Sequence, residues 1–187
     1  YTLWADGTSK LISEKDMNKA KLISFDLDGT LVDPTYTNWV WEIGIPLLYA
    51  KKNKLSLSEA ITNVTAEYER MGDAALEWYD IKYWFEYFDL PGRWKSLMEE
   101  HRKKIRLFSE VKEVLEDLRQ HYELIVTSNA AREFVEMEVN ETGIKDYFSR
   151  IFSATSDFSQ VKKTPQFYKE ICRIIGVAPS QTVHVGD

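Results

Sequence analysis

A chain of 187 residues that is 44% hydrophobic and 29% charged carries enough apolar material for one well-filled core and a small second domain, which excludes the disordered class. Its formal net charge of −6 is opposite in sign to what a phosphate backbone attracts, so nucleic acid is not an expected partner, whereas a small anion needs only a local positive pocket. The one cysteine, Cys172, rules out an intrachain disulfide and the paired-cysteine spacings that hold zinc, and it fits a reducing, cytoplasmic setting.

Residues 1–20 read as an N-terminal extension or tag, of which 1–16 are polar and without pattern after a short strand-like Tyr1-Thr2-Leu3-Trp4. The stretch Lys10-Leu11-Ile12-Ser13-Glu14 looks like part of an epitope tag. A native extension and an edge strand of the fold are the other readings. No basic start followed by an apolar run is present, so no signal peptide is expected. From Lys21 a short apolar run leads into Asp26-Leu27-Asp28-Gly29-Thr30, the pattern of a buried strand meeting a turn.

A long helical stretch follows, to about Lys104. The longest apolar run in it, Trp39 to Ala50, is interrupted by Glu42 and is too short to cross a bilayer, so no membrane association is expected. Ser56 and Glu59 make a capping box ahead of Leu57, Ile61, Val64, Tyr68 and Met71 at helical spacing. A second helix is predicted over Leu76–Phe88, and a third over Trp94–Arg102 after the Pro91-Gly92 break. The many aromatic residues of this segment, from Trp39 and Trp41 to Trp78–Phe88 and Trp94, are expected to build mainly its own core. The basic run His101–Arg106 reads as a solvated helix end.

Strand and helix then alternate. Ser109 is placed to cap a helix with the apolar stripe Val111, Val114, Leu115 and Leu118. A strand over 123–128, a helix over 131–142, a strand over 150–154, a helix over 165–175 and a strand over 182–185 complete the chain. The expected fold class is α/β: a Rossmann-like parallel sheet with helices on both faces, interrupted by an all-helical insert. The core is expected at 21–32 and 105–187 and the insert at 33–104. Function in such sheets sits at the carboxyl ends of strands, where every candidate residue falls.

Asp26 and Asp28 are the sharpest candidates. Two carboxylates two residues apart beyond a strand can face one site, and charges so close favour one ionised and one protonated group. That division suits a nucleophile beside a general acid. Ser128 can donate a hydroxyl hydrogen bond and Lys162 can supply a point charge to an anionic group. Thr127 competes with Ser128, since one residue of register exchanges the face. Lys163 competes likewise with Lys162. The three histidines, His101, His121 and His184, have no metal-ligating partner at useful spacing.

The sequence resembles the haloacid dehalogenase superfamily. The resemblance rests on the apolar strand before Asp26-Leu27-Asp28-Gly29-Thr30, on Thr127-Ser128-Asn129 after a second strand, on Lys162 three residues before Pro165, and on the terminal strand before Gly186-Asp187. It implies Asp26 as the covalent nucleophile and Asp28 as the acid/base. It also implies Ser128, Asn129 and Lys162 on the substrate phosphate, and Mg2+ held by Asp26, Asp28 (through its backbone carbonyl) and Asp187. Two features favour the phosphatase branch: dehalogenases lack the second Asp, and ion-pumping ATPases have Asp-Lys-Thr-Gly in place of this string. The implied reaction is hydrolysis of a small phosphorylated metabolite, as in a phosphoglycolate phosphatase, by a monomer or homodimer, with the helical insert acting as a cap. A phosphomutase on a sugar phosphate and a non-catalytic binding protein on the same fold are the alternatives.

Overall fold

The computed structural model describes residues 3–5, 8–10 and 19–186, and divides the chain into two compact units. One comprises Tyr1–Asp33 with Leu107–Asp187; the other is Pro34–Arg106. The junctions thus fall at 33/34 and 106/107.

The first unit is built on a four-stranded sheet. β1 (Leu3–Ala5) and β2 (Thr8–Lys10) form an antiparallel pair beside it, with Leu3 opposite Lys10 and β1 alongside the last strand. β3 (Leu22–Phe25) is the first strand of the main sheet, whose order is completed below.

The second unit consists of helices among its described elements. α1 (Thr35–Trp39) runs through a π-helical turn, Val40–Gly44, into α2 (Ile45–Asn53). Gly44 belongs there because a Cβ would meet the Trp39 ring at 2.8 Å. α3 (Leu57–Met71) starts with the expected capping box: the Glu59 amide donates to Ser56 Oγ, and Glu59 Oε2 accepts from the Ser56 amide. The helix expected over Leu76–Phe88 is divided. A 3-10 turn covers Leu76–Tyr79, and α4 (Ile81–Tyr87) restarts because the Asp80 carboxylate accepts from the Lys82 amide and caps a new first turn. α5 (Trp94–His101) follows. The aromatic residues mostly pack on one another, as expected of a small core: Tyr68 meets Trp84 at 4.6 Å between centroids, and Trp84 stacks on Phe88 at 5.4 Å.

Back in the first unit, α6 (Val111–Leu118) has Glu110 at its N-cap in place of the expected Ser109, and the Glu110 side chain makes no cap hydrogen bond. β4 (Glu123–Ser128), α7 (Arg132–Thr142) and β5 (Arg150–Ser153) follow. Residue 154, expected to extend β5, instead starts the short helix α8 (Ala154–Phe158), because Ser153 Oγ accepts from the Ser156 amide and turns the chain. α9 (Pro165–Ile175) and β6 (Thr182–Val185) match the expected limits, with Thr164 Oγ1 accepting from the Phe167 amide to cap α9.

The sheet order is β5-β4-β3-β6 and every pairing in it is parallel. The chain winds outward from β3 to β5 and then returns to β6 on the other side of β3. The switch point therefore lies at the carboxyl ends of β3 and β6, where a doubly wound sheet opens a crevice. Alternation sorts the β3 side chains. Leu22 packs with Ile125, Phe152, Phe167, Tyr168 and Ile171 beneath α9. Ile23 and Phe25 face the other way, lining with α6, Val183 and Val185 a groove of about 1010 Å³ that has Asp28 and Thr30 along its rim. Each fully buried aliphatic or aromatic side chain in such layers contributes about 1.5–3 kcal/mol, so the sheet is a stiff platform for the loops at its carboxyl end.

Candidate active site

Asp26 is the first residue past β3. Its amide still donates to the Val185 carbonyl, which continues the ladder by one bond, while its carboxylate lies in the loop region and is largely buried. Oδ1 accepts from the Leu27 amide at 2.8 Å. Oδ2 pairs with Lys163 Nζ at 2.7 Å, and the two side chains are only 10% and 7% exposed. A buried anion is tolerable only when it is paired and hydrogen-bonded, and Asp26 is both.

The loop after Asp26 is a tight coil around the Leu27 carbonyl, which accepts from the amides of Thr30, Leu31 and Val32. Gly29 has φ +75°, a conformation that side chains resist, which explains the glycine in the motif. Asp28 is half-buried on this coil, at the rim of the groove.

β4 ends at Ser128. Thr127 turns inward, its Oγ1 2.8 Å from Ser24 Oγ, so it is committed beneath the site. Ser128 Oγ accepts from the Ala130 amide at 3.0 Å, which leaves the hydroxyl hydrogen available for donation. The Asn129 carbonyl accepts from Thr155 Oγ1, and its Oδ1 is buried with no hydrogen-bond partner among the described residues. Of the Asn129 amide, Nδ2 is the atom that can donate to a phosphate oxygen; Oδ1 can receive a proton donor. The loop is held from β5 as well: Ser153 Oγ donates to the Ala130 carbonyl, and Arg132 joins the Ile151 carbonyl to the Asp157 carboxylate.

Of the two competing lysines, the structure brings Lys163 to Asp26. Lys162 is exposed, and Lys163 is the one that reaches Asp26. The Thr164 amide donates to the Lys162 carbonyl, a turn so tight that side chains 162 and 163 diverge. Spacing from Pro165 counts residues along the chain and is blind to that turn. The doublet Lys162-Lys163 was the available signal.

Gly186 closes the site from β6. A Cβ on it would lie 2.5 Å from Asp26 Cβ and 3.4 Å from Thr30 Oγ1, so the β6 exit loop passes against the Asp26 side chain where only glycine fits. Asp187 lies outside the described residues. His184, two residues earlier on β6, is buried and bonded to Ser24, a role its scattered place in the sequence did not signal.

The donors at this place are hard oxygens: the Asp26 carboxylate and the backbone and carboxylate of Asp28. Magnesium binds few such oxygens and keeps waters in its remaining positions, so the described residues suit it. Gly186 brings the β6 exit loop into close packing against the Asp26 side chain.

The model of the haloacid dehalogenase-like hydrolases matches residues 20–187. The chain belongs to that family. It is 23% identical over 166 residues to the GMP/IMP nucleotidase YrfG of Escherichia coli, covering 88% of this chain and 73% of that protein. It is 28% identical over 94 residues to the N-acylneuraminate-9-phosphatase of Rattus norvegicus, covering 50% and 36%. Among solved structures it resembles a haloacid dehalogenase-superfamily phosphatase from Thermococcus onnurineus, with a TM-score of 0.76, 26% identity, and 89% and 77% of the two chains covered. A predicted phosphoglycolate phosphatase from Haemophilus somnus matches with a TM-score of 0.61 at 25% identity, covering 91% and 78%.

Proposed function

We propose that this family member is a magnesium-dependent phosphatase acting on a small phosphate monoester through an aspartyl-phosphate on Asp26. The observation that carries the reading is the buried Lys163–Asp26 pair at a strand end, beside a hydroxyl whose hydrogen is available. The relatives named as a nucleotidase and as phosphatases support a phosphate ester as substrate.

In the first step an Asp26 carboxylate oxygen attacks phosphorus. The new O–P bond forms as the ester P–O bond breaks, and protonated Asp28 gives its proton to the departing oxygen, releasing an alcohol. In the second step Asp28 takes a proton from water, whose oxygen attacks the same phosphorus. The Asp26 O–P bond breaks, inorganic phosphate leaves, and both carboxylates return to their starting states. Lys163 and Ser128 oppose the negative charge on the phosphoryl oxygens throughout, the lysine as a charge and the serine as a donor. Asn129 Nδ2 is the third donor. Asp26, the Asp28 carbonyl and Asp187 would hold magnesium, which would supply the charge neutralisation that lets an anion approach an anion.

The helical unit 34–106 is assigned the role of a cap that selects the substrate, a small phosphorylated metabolite, with the enzyme working as a monomer or homodimer. Among the described residues no helix is long and apolar enough to cross a membrane. A cytoplasmic setting belongs to the same proposal and agrees with the free, buried thiol of Cys172.

The test is release of inorganic phosphate from an aryl phosphate in the presence of magnesium, repeated with Asp26→Asn. Turnover by the parent and its loss in the variant are expected; equal rates in both overturn the reading. Activation by a sugar bisphosphate with little net phosphate release would instead indicate a mutase.

A further inference from the structure

Beneath the site, one serine joins the three strand ends that the proposed reaction uses. Ser24 Oγ, on β3 at the centre, is 2.8 Å from Thr127 Oγ1 on β4 and 3.1 Å from His184 Nδ1 on β6. The three residues are 0%, 0% and 1% exposed. Each comes just before the working position of its strand: Ser24 two residues before Asp26, Thr127 one before Ser128, and His184 two before Gly186.

Two residues earlier on the same strands, Leu22 and Ile125 belong to the apolar cluster under α9. An apolar continuation of that layer would be as stable, because replacing a buried hydrogen-bonded set by well-packed apolar groups is often neutral or favourable. A hydroxyl–hydroxyl–imidazole chain supplies something apolar packing lacks, namely directional bonds that fix the spacing of three strands. The imidazole is itself held, with the Tyr168 ring 5.0 Å away between centroids. His184 Nε2 lies 3.2 Å from the point a Gly186 Cβ would occupy, and that point is 2.5 Å from Asp26 Cβ. The ring therefore lies beside the place where the β6 exit loop meets the nucleophile.

We propose that Thr127, Ser24 and His184 are positioning residues, a buried chain that sets the separation of Asp26, Ser128 and the Gly186 loop. Their catalytic meaning rests on the phosphatase reading. Their positioning role does not, so two kinds of measurement separate the two.

The first is kinetic. Ser24→Ala and Thr127→Val each remove one link and are expected to lower kcat about 10- to 100-fold, the usual effect of losing a partner that orients a working group, with KM changed less than threefold. The double variant should be no slower than the worse single one, since the links act as a unit. Thr127→Ser keeps the hydroxyl and should restore kcat to within threefold of the parent. All rates are taken well below each variant's Tm, so that a purely structural role would leave kcat unmoved. Single variants within twofold of the parent, while Asp26→Asn is inactive, overturn the positioning role and leave the phosphatase reading standing.

The second measurement needs no turnover. The Leu27 and Ala130 amides donate to Asp26 Oδ1 and Ser128 Oγ, so their NMR shifts report both working side chains. Ser24→Ala should move both amides together with the His184 ring nitrogens. If the ring nitrogens shift and the two amides stay in place, the chain exists but positions nothing, and the proposal falls whatever the activity.

Discussion

Lys163 Nζ sits 2.7 Å from Asp26 Oδ2, with both side chains nearly closed off from solvent. A buried pair of this kind contributes little net stability when intact, but removing one partner strands a charge at a cost of about 3–5 kcal/mol. In the proposed mechanism Asp26 attacks as the anion, and Lys163 is the cation at its side.

The first prediction separates the two lysines. Lys163→Ala should lose at least about 100-fold in kcat, by analogy with removal of one group that stabilises developing charge. Lys162→Ala, at an exposed position, should stay within about twofold in kcat and change stability by no more than about 0.5 kcal/mol. Phosphate-release assays on both variants, with thermal unfolding in parallel, decide it. A larger loss from Lys162→Ala would reverse the assignment.

Gly186 supports a second prediction. Its φ of +146° is one that L side chains rarely adopt, and a Cβ would meet Asp26 Cβ at 2.5 Å, closer than such atoms approach. The added methyl has a backbone-anchored neighbour, so relief requires the loop or Asp26 to move. Gly186→Ala should destabilise the fold by about 1–3 kcal/mol and abolish most activity. An assay well below the lowered Tm distinguishes displacement of Asp26 from simple unfolding, because displacement leaves the folded variant slow.

Metal removal is a third test. Treatment with EDTA should suppress phosphate release, and magnesium should restore it. Calcium should restore far less, because its longer bonds and larger, looser ligand shell suit this small oxygen set poorly. Equal activity in EDTA would remove magnesium from the mechanism while leaving the Asp26 chemistry to be tested on its own.

Much of this was legible in the sequence, and the particular failures have physical reasons. Asp26-Leu27-Asp28-Gly29-Thr30 names its own strand end, because only a left-handed glycine allows the coil that accepts three amides on the Leu27 carbonyl. The limits of α9 were legible from Pro165 at its first turn and Gly176 after it, and the start of α3 from its capping box. Asp80 and Ser153 were harder to read, since each is an ordinary polar residue until its side chain is seen to cap a helix. The lysine choice turned on one tight turn at Lys162–Thr164. The Thr127–Ser24–His184 chain joins residues 103 and 160 positions apart, and strand periodicity gives the face of each residue without its cross-strand neighbour.

The capping box of α3 yields a pH-dependent prediction confined to the helical unit. Glu59 lies below the usual carboxylate range, first because the Ser56 hydroxyl donates to it and then because the Ser56 amide does. A carboxyl whose folded value is depressed stabilises the fold above its unfolded value, near 4.3, and loses that contribution as pH falls through the folded value. Ser56→Ala removes the hydroxyl that both donates to Glu59 and accepts from its amide, so at neutral pH the loss should be about 1 kcal/mol. As pH falls through that depressed folded value the parent progressively loses the Glu59 part, so the Tm difference between parent and variant should narrow on acidification. It should not vanish, because Ser56 Oγ still accepts from the Glu59 amide when the carboxyl is protonated. Thermal unfolding of both proteins between pH 3 and pH 7 measures this, and a Tm difference that widens on acidification would show that Glu59 is not the linked group.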